Sequence, residues 1–164
     1  MFNYSNSNLF LGTKREYKQN ELFNSQNSKE SNEWAFVHIG EELFKQTTQG
    51  LKGWKAKDRI YIQGNHLYLY WLDLPDQDSF NLDELQVVLD FIDQKAMKNK
   101  KIFIHCDYGQ SRSPSIFMTY INKRFEKNNK NFEECAKEFN QIYLEYFYPT
   151  GISNFLENNW SEIR

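Results

Sequence analysis

Short apolar runs alternate along this chain with longer amphipathic segments. Residues 34–39 (WAFVHI) and 102–105 (IFIH) are almost wholly apolar, which is typical of strands buried on both faces of a sheet. Residues 82–98 instead carry apolar side chains at helical intervals. Asn81 precedes this segment as a candidate N-cap, with Glu84 at the spacing of a capping box. Mixed strands and amphipathic helices predict an α/β fold with a central, mixed but mostly parallel sheet flanked by helices.

Turn residues and apolar spacing predict the remaining strands and helices. A Gly64-Asn65 pair between two strand-like runs predicts a β-hairpin. A weak helical pattern surrounds Tyr17, Leu22 and Phe23, and a polar loop follows to residue 33. The other predicted strands are residues 9–12, 59–63 and 66–71, and the other predicted helices are residues 41–49, about 113–125, 132–146 and 152–160.

Composition narrows the classes of protein that fit. The 164 residues suit a single domain, 1–164, whose first 33 residues form a polar, decorated N-terminal segment. The net charge of −2, without a basic tract, argues against a nucleic-acid or membrane partner. The start lacks a signal-peptide pattern, and two cysteines are too few for a disulfide scaffold. We therefore expect a cytoplasmic monomer, although delivery into a host cell would leave the same pattern.

The segment from Cys106 to Arg112 carries the candidate chemistry. A buried strand precedes it and a helix follows, with Pro114 suited to the first helical turn. Backbone N–H groups of residues 107–111 (DYGQS) and the helix N-terminus would bind an anion the size of phosphate. A cysteine there is favoured as the thiolate. The planar guanidinium of Arg112 can bind two phosphate oxygens, and Ser113 can donate a hydrogen bond to the sulfur.

Within this loop, Gly109 supplies backbone freedom, and the backbone N–H groups of Asp107, Tyr108, Gly109, Gln110 and Ser111 are the expected phosphate donors. The string from His105 to Pro114 (HCDYGQSRSP) resembles the signature of cysteine-dependent protein phosphatases, and most closely the H-C-x-x-G-x-x-R-S form of the dual-specificity branch. The resemblance implies a phosphocysteine intermediate that water hydrolyses without a metal or cofactor. His105 is interpreted as a residue that positions the loop by hydrogen bonding, rather than as an acid or base.

Family chemistry of this kind also requires a general acid. In these phosphatases it is an aspartate on a loop about thirty residues before the cysteine, and Asp76 in the segment Leu74-Pro75-Asp76 occupies that position. Asp78 and Asp73 are the alternatives.

Three further residues have side chains of types that react or bind metals. Cys135 lies on the apolar face of a predicted helix and reads as a core residue, with a protective disulfide to Cys106 as the alternative. His38 and His66 lie in strand patterns without partners at metal-ligand spacing, so neither is read as a ligand. No metal site is expected.

The expected substrate is a phosphoprotein, with phosphotyrosine and also phosphoserine or phosphothreonine admitted to a shallow pocket. The loop carries one acid, Asp107, and no base, which disfavours polyanionic substrates. A phosphoinositide or RNA 5′-phosphatase of the same superfamily is therefore the alternative enzyme. A phosphoprotein-binding module without catalysis and a sulfurtransferase are the alternatives of other classes.

Overall fold

The computed structural model describes residues 1–5, 7–20, 23, 31–51 and 58–164 of the chain. In this part of the chain six strands form one sheet, in the order β1-β2-β6-β3-β5-β4. The four inner strands are parallel, and β1 and β4 pair antiparallel at the two edges. The strands are β1 Phe2–Asn3, β2 Leu9–Thr13, β3 Trp34–Ile39, β4 Ile60–Gln63, β5 His66–Leu69 and β6 Lys101–Cys106. The predicted mixed, mostly parallel sheet is confirmed.

Helices flank this sheet. Within the described residues, none of them has the length and apolar composition needed to cross a membrane. Short 3₁₀ turns cover Ser31–Glu33 and Gln77–Ser79, and a π-helical turn at Ile121–Phe125 extends α4. The α-helices are α1 Lys14–Gln19, α2 Glu41–Thr48, α3 Leu82–Ala96, α4 Arg112–Tyr120, α5 Phe132–Ile142 and α6 Thr150–Asn159.

Central strand β6 is buried on both faces, which explains its nearly continuous apolar sequence. Ile102, Ile104 and Cys106 alternate onto the face that carries the larger core, which includes side chains of α3 to α6. Phe103 and His105 point to the opposite face, where the smaller cluster is aromatic: Phe23, Trp34, Phe36 and Phe103, with Phe10 and Tyr17 packed against it. The strand therefore presents its last two residues to different environments.

The N-terminal cap of α3 differs from the predicted capping box. Asn81 Oδ1 accepts from the backbone N–H of Glu84 at 3.0 Å, as expected. The Glu84 carboxylate instead accepts from the buried Trp71 ring Nε1 at 2.6 Å and lies 3.3 Å from Arg59. The reciprocal half of the box was therefore a wrong prediction, because a long-range donor takes the carboxylate.

Helices α5 and α1 also differ from the prediction. Helix α5 ends at Ile142, although its apolar pattern continues to Tyr146. Helix α1 begins directly after β2, where Thr13 and Glu16 form a complete capping box, and it ends at Gln19. Leu22 and residues 24–30 of the predicted polar loop lie outside the described residues.

The start of α6 lies against the loop that precedes α3. A Cβ atom at Gly151 would lie 2.1 Å from the carbonyl oxygen of Leu74 and 2.9 Å from the Pro75 carbonyl carbon. Asn158, further along α6, donates to the Gln77 side chain at 2.8 Å. Helix α6 therefore fixes the position of residues 74–77.

Replacing Gly151 with alanine should destabilise the chain. The added methyl group would displace backbone atoms, which costs about 1–3 kcal/mol, whereas an unhindered Gly→Ala change inside a helix gains about 0.5–1 kcal/mol. Ser153→Ala in the same helix is the matched control and should change stability by less than about 0.5 kcal/mol. Urea unfolding of both variants measures the difference. Equal stability of Gly151→Ala and the unmodified chain would contradict the contact.

Candidate active site

Three strand ends meet at one edge of the sheet. In the parallel register Thr13 of β2 pairs with Cys106, and His38 of β3 pairs with His105. The residues that follow these strands therefore lie side by side. Ligands of open α/β sheets bind at such carboxyl ends.

The loop of residues 107–111 joins the end of β6 to the start of α4. Gly109 within it has a φ of +69°, and a Cβ there would lie 3.0 Å from the Gly12 carbonyl oxygen. The loop thus needs glycine both for its conformation and for its approach to β2. Ser113 in the first turn of α4 donates to Cys106 Sγ at 3.1 Å, and both residues are buried. The first N–H groups of α4 lack intrahelical partners, so the sulfur lies at a positive helix end.

The guanidinium of Arg112 is buried and held by fixed acceptors. Nη1 donates to the Trp71 carbonyl oxygen at 2.8 Å, and Nη2 donates to Asp107 Oδ2 at 2.8 Å. Nε has no hydrogen-bond partner within the described residues. A phosphate oxygen is the acceptor that this donor suits, since guanidinium and phosphate groups match in geometry. Gly40, the residue after β3, has a φ of +144°, and a Cβ there would lie 3.3 Å from Asp107 Oδ2, so its backbone conformation and this close approach both favour glycine.

Asp107 connects Arg112 to helix α1. Its Oδ1 lies 2.6 Å from Lys14 Nζ, and Lys14 also pairs with Glu42. Partial burial opposes ionisation of Asp107, but the hydrogen bonds from Lys14 and Arg112 outweigh it and hold the pKa of this carboxyl below its ordinary value. Lys14 was not among the site residues predicted from the sequence. The Thr13-x-x-Glu16 capping box could have revealed it, because it starts a helix just where β2 ends beside Cys106.

The structure brings Asp73, rather than Asp76, into contact with the phosphate-binding loop. Asp73 Oδ1 accepts from the Ser111 hydroxyl at 2.8 Å, and Oδ2 lies 3.8 Å from Arg112 Nε. Asp76 is exposed and caps the 3₁₀ turn, where its Oδ1 accepts from the backbone N–H of Asp78 at 3.0 Å. The two carboxylates therefore lie on one loop in different settings. Asp73 is tied to the site, and Asp76 is held by its own turn.

The outer side of the loop is supported by the segment after α5. Tyr143 Oη donates to the Gly109 carbonyl at 2.8 Å, and the Phe147 N–H donates to the Gln110 carbonyl at 2.7 Å. Tyr108 is exposed to solvent. These contacts fix the carbonyl groups of the loop on its outer side.

On the aromatic face, three histidines form a hydrogen-bonded chain beneath the loop. His105 Nε2 lies 2.7 Å from His38 Nδ1, and His38 Nε2 lies 3.0 Å from His66 Nδ1. The Tyr17 ring stacks on His105 at 5.0 Å between centroids. Burial lowers the pKa of His105 to about 3 and lowers that of His38 well below its ordinary value. The His105 ring is therefore hydrogen-bonded to His38 of β3, and its predicted support of residues 107–111 stays a prediction. His38 and His66, which were not predicted to act as ligands, continue the hydrogen-bonded chain from β3 to β5.

The remaining candidates lie outside this arrangement. Cys135 is a free, buried thiol in α5, and burial raises its pKa to about 11. Its sulfur lies 3.8 Å from Asn128 Oδ1, its hydrogen-bond acceptor. Across the described ranges, no group of three or more His, Cys, Asp or Glu side chains is arranged to hold a metal ion.

Comparisons with known proteins agree with this geometry. Residues 46–158 match the family described as dual specificity phosphatase, catalytic domain. The rat dual specificity protein phosphatase 5 is 32% identical over 74 residues, which cover 44% of this chain and 19% of that protein. The Plasmodium falciparum dual specificity protein phosphatase YVH1 is 37% identical over 90 residues, or 55% of this chain and 14% of that protein. The chain thus spans less than a fifth of the length of these relatives.

A solved structure gives the same fold. The human tyrosine phosphatase-like serine/threonine/tyrosine-interacting protein superposes with a TM-score of 0.65 at 14% identity. The alignment covers 94% of this chain and 92% of that one. The likeness extends to nearly the whole chain, beyond the residues matched by the catalytic-domain family.

The buried histidines predict a loss of stability in mild acid. Their folded-state pKa values lie below the unfolded value of about 6.5, so below pH 6.5 the unfolded chain binds protons that the folded chain does not. Stability is then fully present above pH 6.5 and should fall by about 2 kcal/mol per histidine between pH 7 and pH 5. Urea unfolding at both pH values measures this loss. The same unfolding free energy at pH 5 and pH 7 would contradict the buried, neutral chain.

Proposed function

The chain belongs to the dual specificity phosphatase family, and we propose that it hydrolyses phosphate monoesters on proteins, at tyrosine and also at serine or threonine. The observation that carries the proposal is the pairing of two buried groups. The Cys106 sulfur receives a hydrogen bond from Ser113, and the Arg112 fork is fixed in place with Nε still without an acceptor among the described residues.

In the first step the Cys106 thiolate attacks the phosphorus of the bound ester. The sulfur–phosphorus bond forms while the bond from phosphorus to the leaving oxygen breaks, and a carboxylic acid gives that oxygen its proton. Arg112 and the loop N–H groups stabilise the charge on the phosphoryl oxygens. The products of this step are the dephosphorylated side chain and a phosphocysteine.

In the second step water attacks the phosphocysteine. The carboxylate that gave its proton now accepts one from the water, the sulfur–phosphorus bond breaks, and phosphate leaves. The electron pair returns to Cys106 Sγ as the thiolate, which the Ser113 hydroxyl stabilises at 3.1 Å. These two steps use only groups of the chain and water.

We assign the proton transfer to Asp76 and a positioning role to Asp73. The Asp73 carboxylate already accepts from Ser111 and faces Arg112, so it orients the groups that bind phosphate. Asp76 is exposed on the same loop, which is anchored on one side through the Trp71 carbonyl and on the other against α6. Its setting leaves it open to the leaving group of a substrate.

A protein substrate suits the charges at the site better than a polyphosphate does. Residues 73–78, the acid loop, carry Asp73, Asp76 and Asp78. Residues 107–111, the phosphate-binding loop, add Asp107. Lys14 and Arg112 are already paired with Asp107. Additional phosphates of a phosphoinositide or an RNA 5′ end would therefore meet carboxylates rather than free cations, which is unfavourable.

Loss of the nucleophile should abolish turnover. The unmodified chain is expected to hydrolyse p-nitrophenyl phosphate in the presence of a chelator and to be inhibited by vanadate. Cys106→Ser should lower kcat by at least about 10³-fold, since the reaction loses its covalent route. Cys135→Ser makes the same change at the other thiol and should retain activity.

Other outcomes would overturn the proposal. Phosphopeptide binding without turnover by the unmodified chain would indicate a binding module. Thiosulfate turnover in place of phosphatase activity would indicate a sulfurtransferase.

The loss of turnover caused by replacing Asp76 should depend on the leaving group, whereas the loss caused by replacing Asp73 should not. Asp76→Ala should lower kcat by about 10²–10⁴-fold for alkyl and phenyl phosphates and much less for a fluorinated phenol ester, whose oxygen needs no proton. Asp73→Ala should raise KM and weaken vanadate inhibition for every ester alike. Asp78→Ala is the control in the same loop. If Asp73→Ala or Asp78→Ala shows the leaving-group dependence instead, the acid assignment is wrong.

A further inference from the structure

The segment between α5 and α6 is hydrogen-bonded to the loop of residues 107–111 and to the helix α4 that follows it. Tyr143 and Tyr146 are buried, the first donating to Gly109 and the second lying 3.1 Å from the Ser115 hydroxyl. The backbone N–H of Phe147 donates to Gln110 at 2.7 Å. The backbone of residues 143–147 is therefore fixed against the loop that would hold the phosphate.

Two large apolar side chains of this segment are exposed. Leu144 is 84% exposed and Phe147 is 68% exposed, although both lie on this fixed backbone. Tyr108, in the phosphate-binding loop itself, is 76% exposed. We call the following exposed side chains around the loop the apolar rim: Leu74, Tyr108, Ile142, Leu144, Phe147 and Tyr148. Apolar groups kept in water on an ordered backbone are typical of a binding surface.

The rim is also free of basic residues. Residues 73–78 (DLPDQD), 107–111 (DYGQS) and 142–149 (IYLEYFYP) contain no lysine or arginine, and Glu145 adds a carboxylate between Leu144 and Tyr146. Like charges repel strongly where water is partly excluded. A ligand that lies across this surface should therefore present apolar groups and no further negative charge beside its phosphate.

We propose that the apolar rim binds apolar side chains on either side of the phosphorylated residue of a peptide substrate, and that the enzyme selects against acidic neighbours. The inference rests on the proposed phosphatase function and names its substrate class. The rim is continuous with the catalytic loop through the contacts of Tyr143 and Phe147, so a peptide bound with its phosphate on that loop meets the rim with its flanking residues.

The test compares three phosphotyrosine peptides of equal length whose flanking residues are leucine and phenylalanine, serine, or aspartate. The unmodified chain should show kcat/KM roughly tenfold higher for the apolar peptide than for the serine peptide, the scale set by burying one or two apolar groups in a shallow site. The aspartate peptide should be the poorest substrate of the three.

The double variant Leu144→Ser, Phe147→Ser should bring the apolar-to-serine ratio below about twofold, because the exposed apolar area is lost. Met97→Ser is the matched control. Met97 is 77% exposed at the end of α3, outside the rim, and its replacement should leave the ratio unchanged. All three residues are exposed, so their replacement should leave the fold intact, and circular dichroism checks this.

The outcomes separate this inference from the proposed function. If p-nitrophenyl phosphate is not hydrolysed, the phosphatase function fails. If it is hydrolysed but the double variant keeps the peptide preference of the unmodified chain, the rim inference fails alone. A phosphatidylinositol monophosphate in phosphatidylcholine vesicles serves as a third substrate. Faster turnover of this lipid than of the apolar peptide, lost in the double variant, would assign the rim to a membrane surface and overturn the proposal.

Discussion

The buried guanidinium of Arg112 is the group on which the arrangement of the site depends. A buried charge without partners would cost several kcal/mol, so the Trp71 carbonyl and the Asp107 carboxylate are required by folding itself. The same two bonds connect the segment between β5 and residues 73–78 with the loop of residues 107–111. The cation therefore orders both loops before any substrate binds, which is the condition for electrostatic stabilisation of a transition state.

The proposed nucleophile Cys106 and its neighbour His105 are held on opposite faces of the sheet. Alternation along β6 directs Cys106 towards α4 and the larger core, and directs His105 into the aromatic cluster. A histidine in such a cluster must remain neutral and hydrogen-bonded. His38 meets that requirement for His105 Nε2 without a buried charge, and His66 in turn partners His38. The polar residue beside the cysteine is thus retained inside an apolar layer by a hydrogen bond to β3 and by ring packing against Tyr17 and Phe103.

Features that depend on neighbouring residues could be predicted from the sequence, and features that depend on distant ones could not. The central strands, the helices and the loop from Cys106 to Arg112 follow from local patterns, and the structure contains them. The capping box at α3 was half wrong, since Trp71 captures the Glu84 carboxylate from 13 positions away. The contact of Asp73 with Ser111 spans 38 positions, so the sequence could not show that Asp73, rather than Asp76, touches the loop of residues 107–111.

The groups proposed to carry out the reaction are close together in the sequence, whereas the surface proposed to set substrate preference is not. The nucleophile, the arginine fork and the serine lie within eight consecutive residues, so a sequence signature captures them. The surface beside them comes from segments that meet only in the folded chain, as the 34 positions between Gly109 and Tyr143 illustrate. Substitutions in residues 142–148 can alter that surface while the hydrogen bonds from the segment's backbone and from Tyr143 keep the loop in place. If the proposed apolar rim sets substrate preference, changes in this segment should alter the substrate and leave the proposed catalytic groups in place, because these groups do not depend on its exposed side chains.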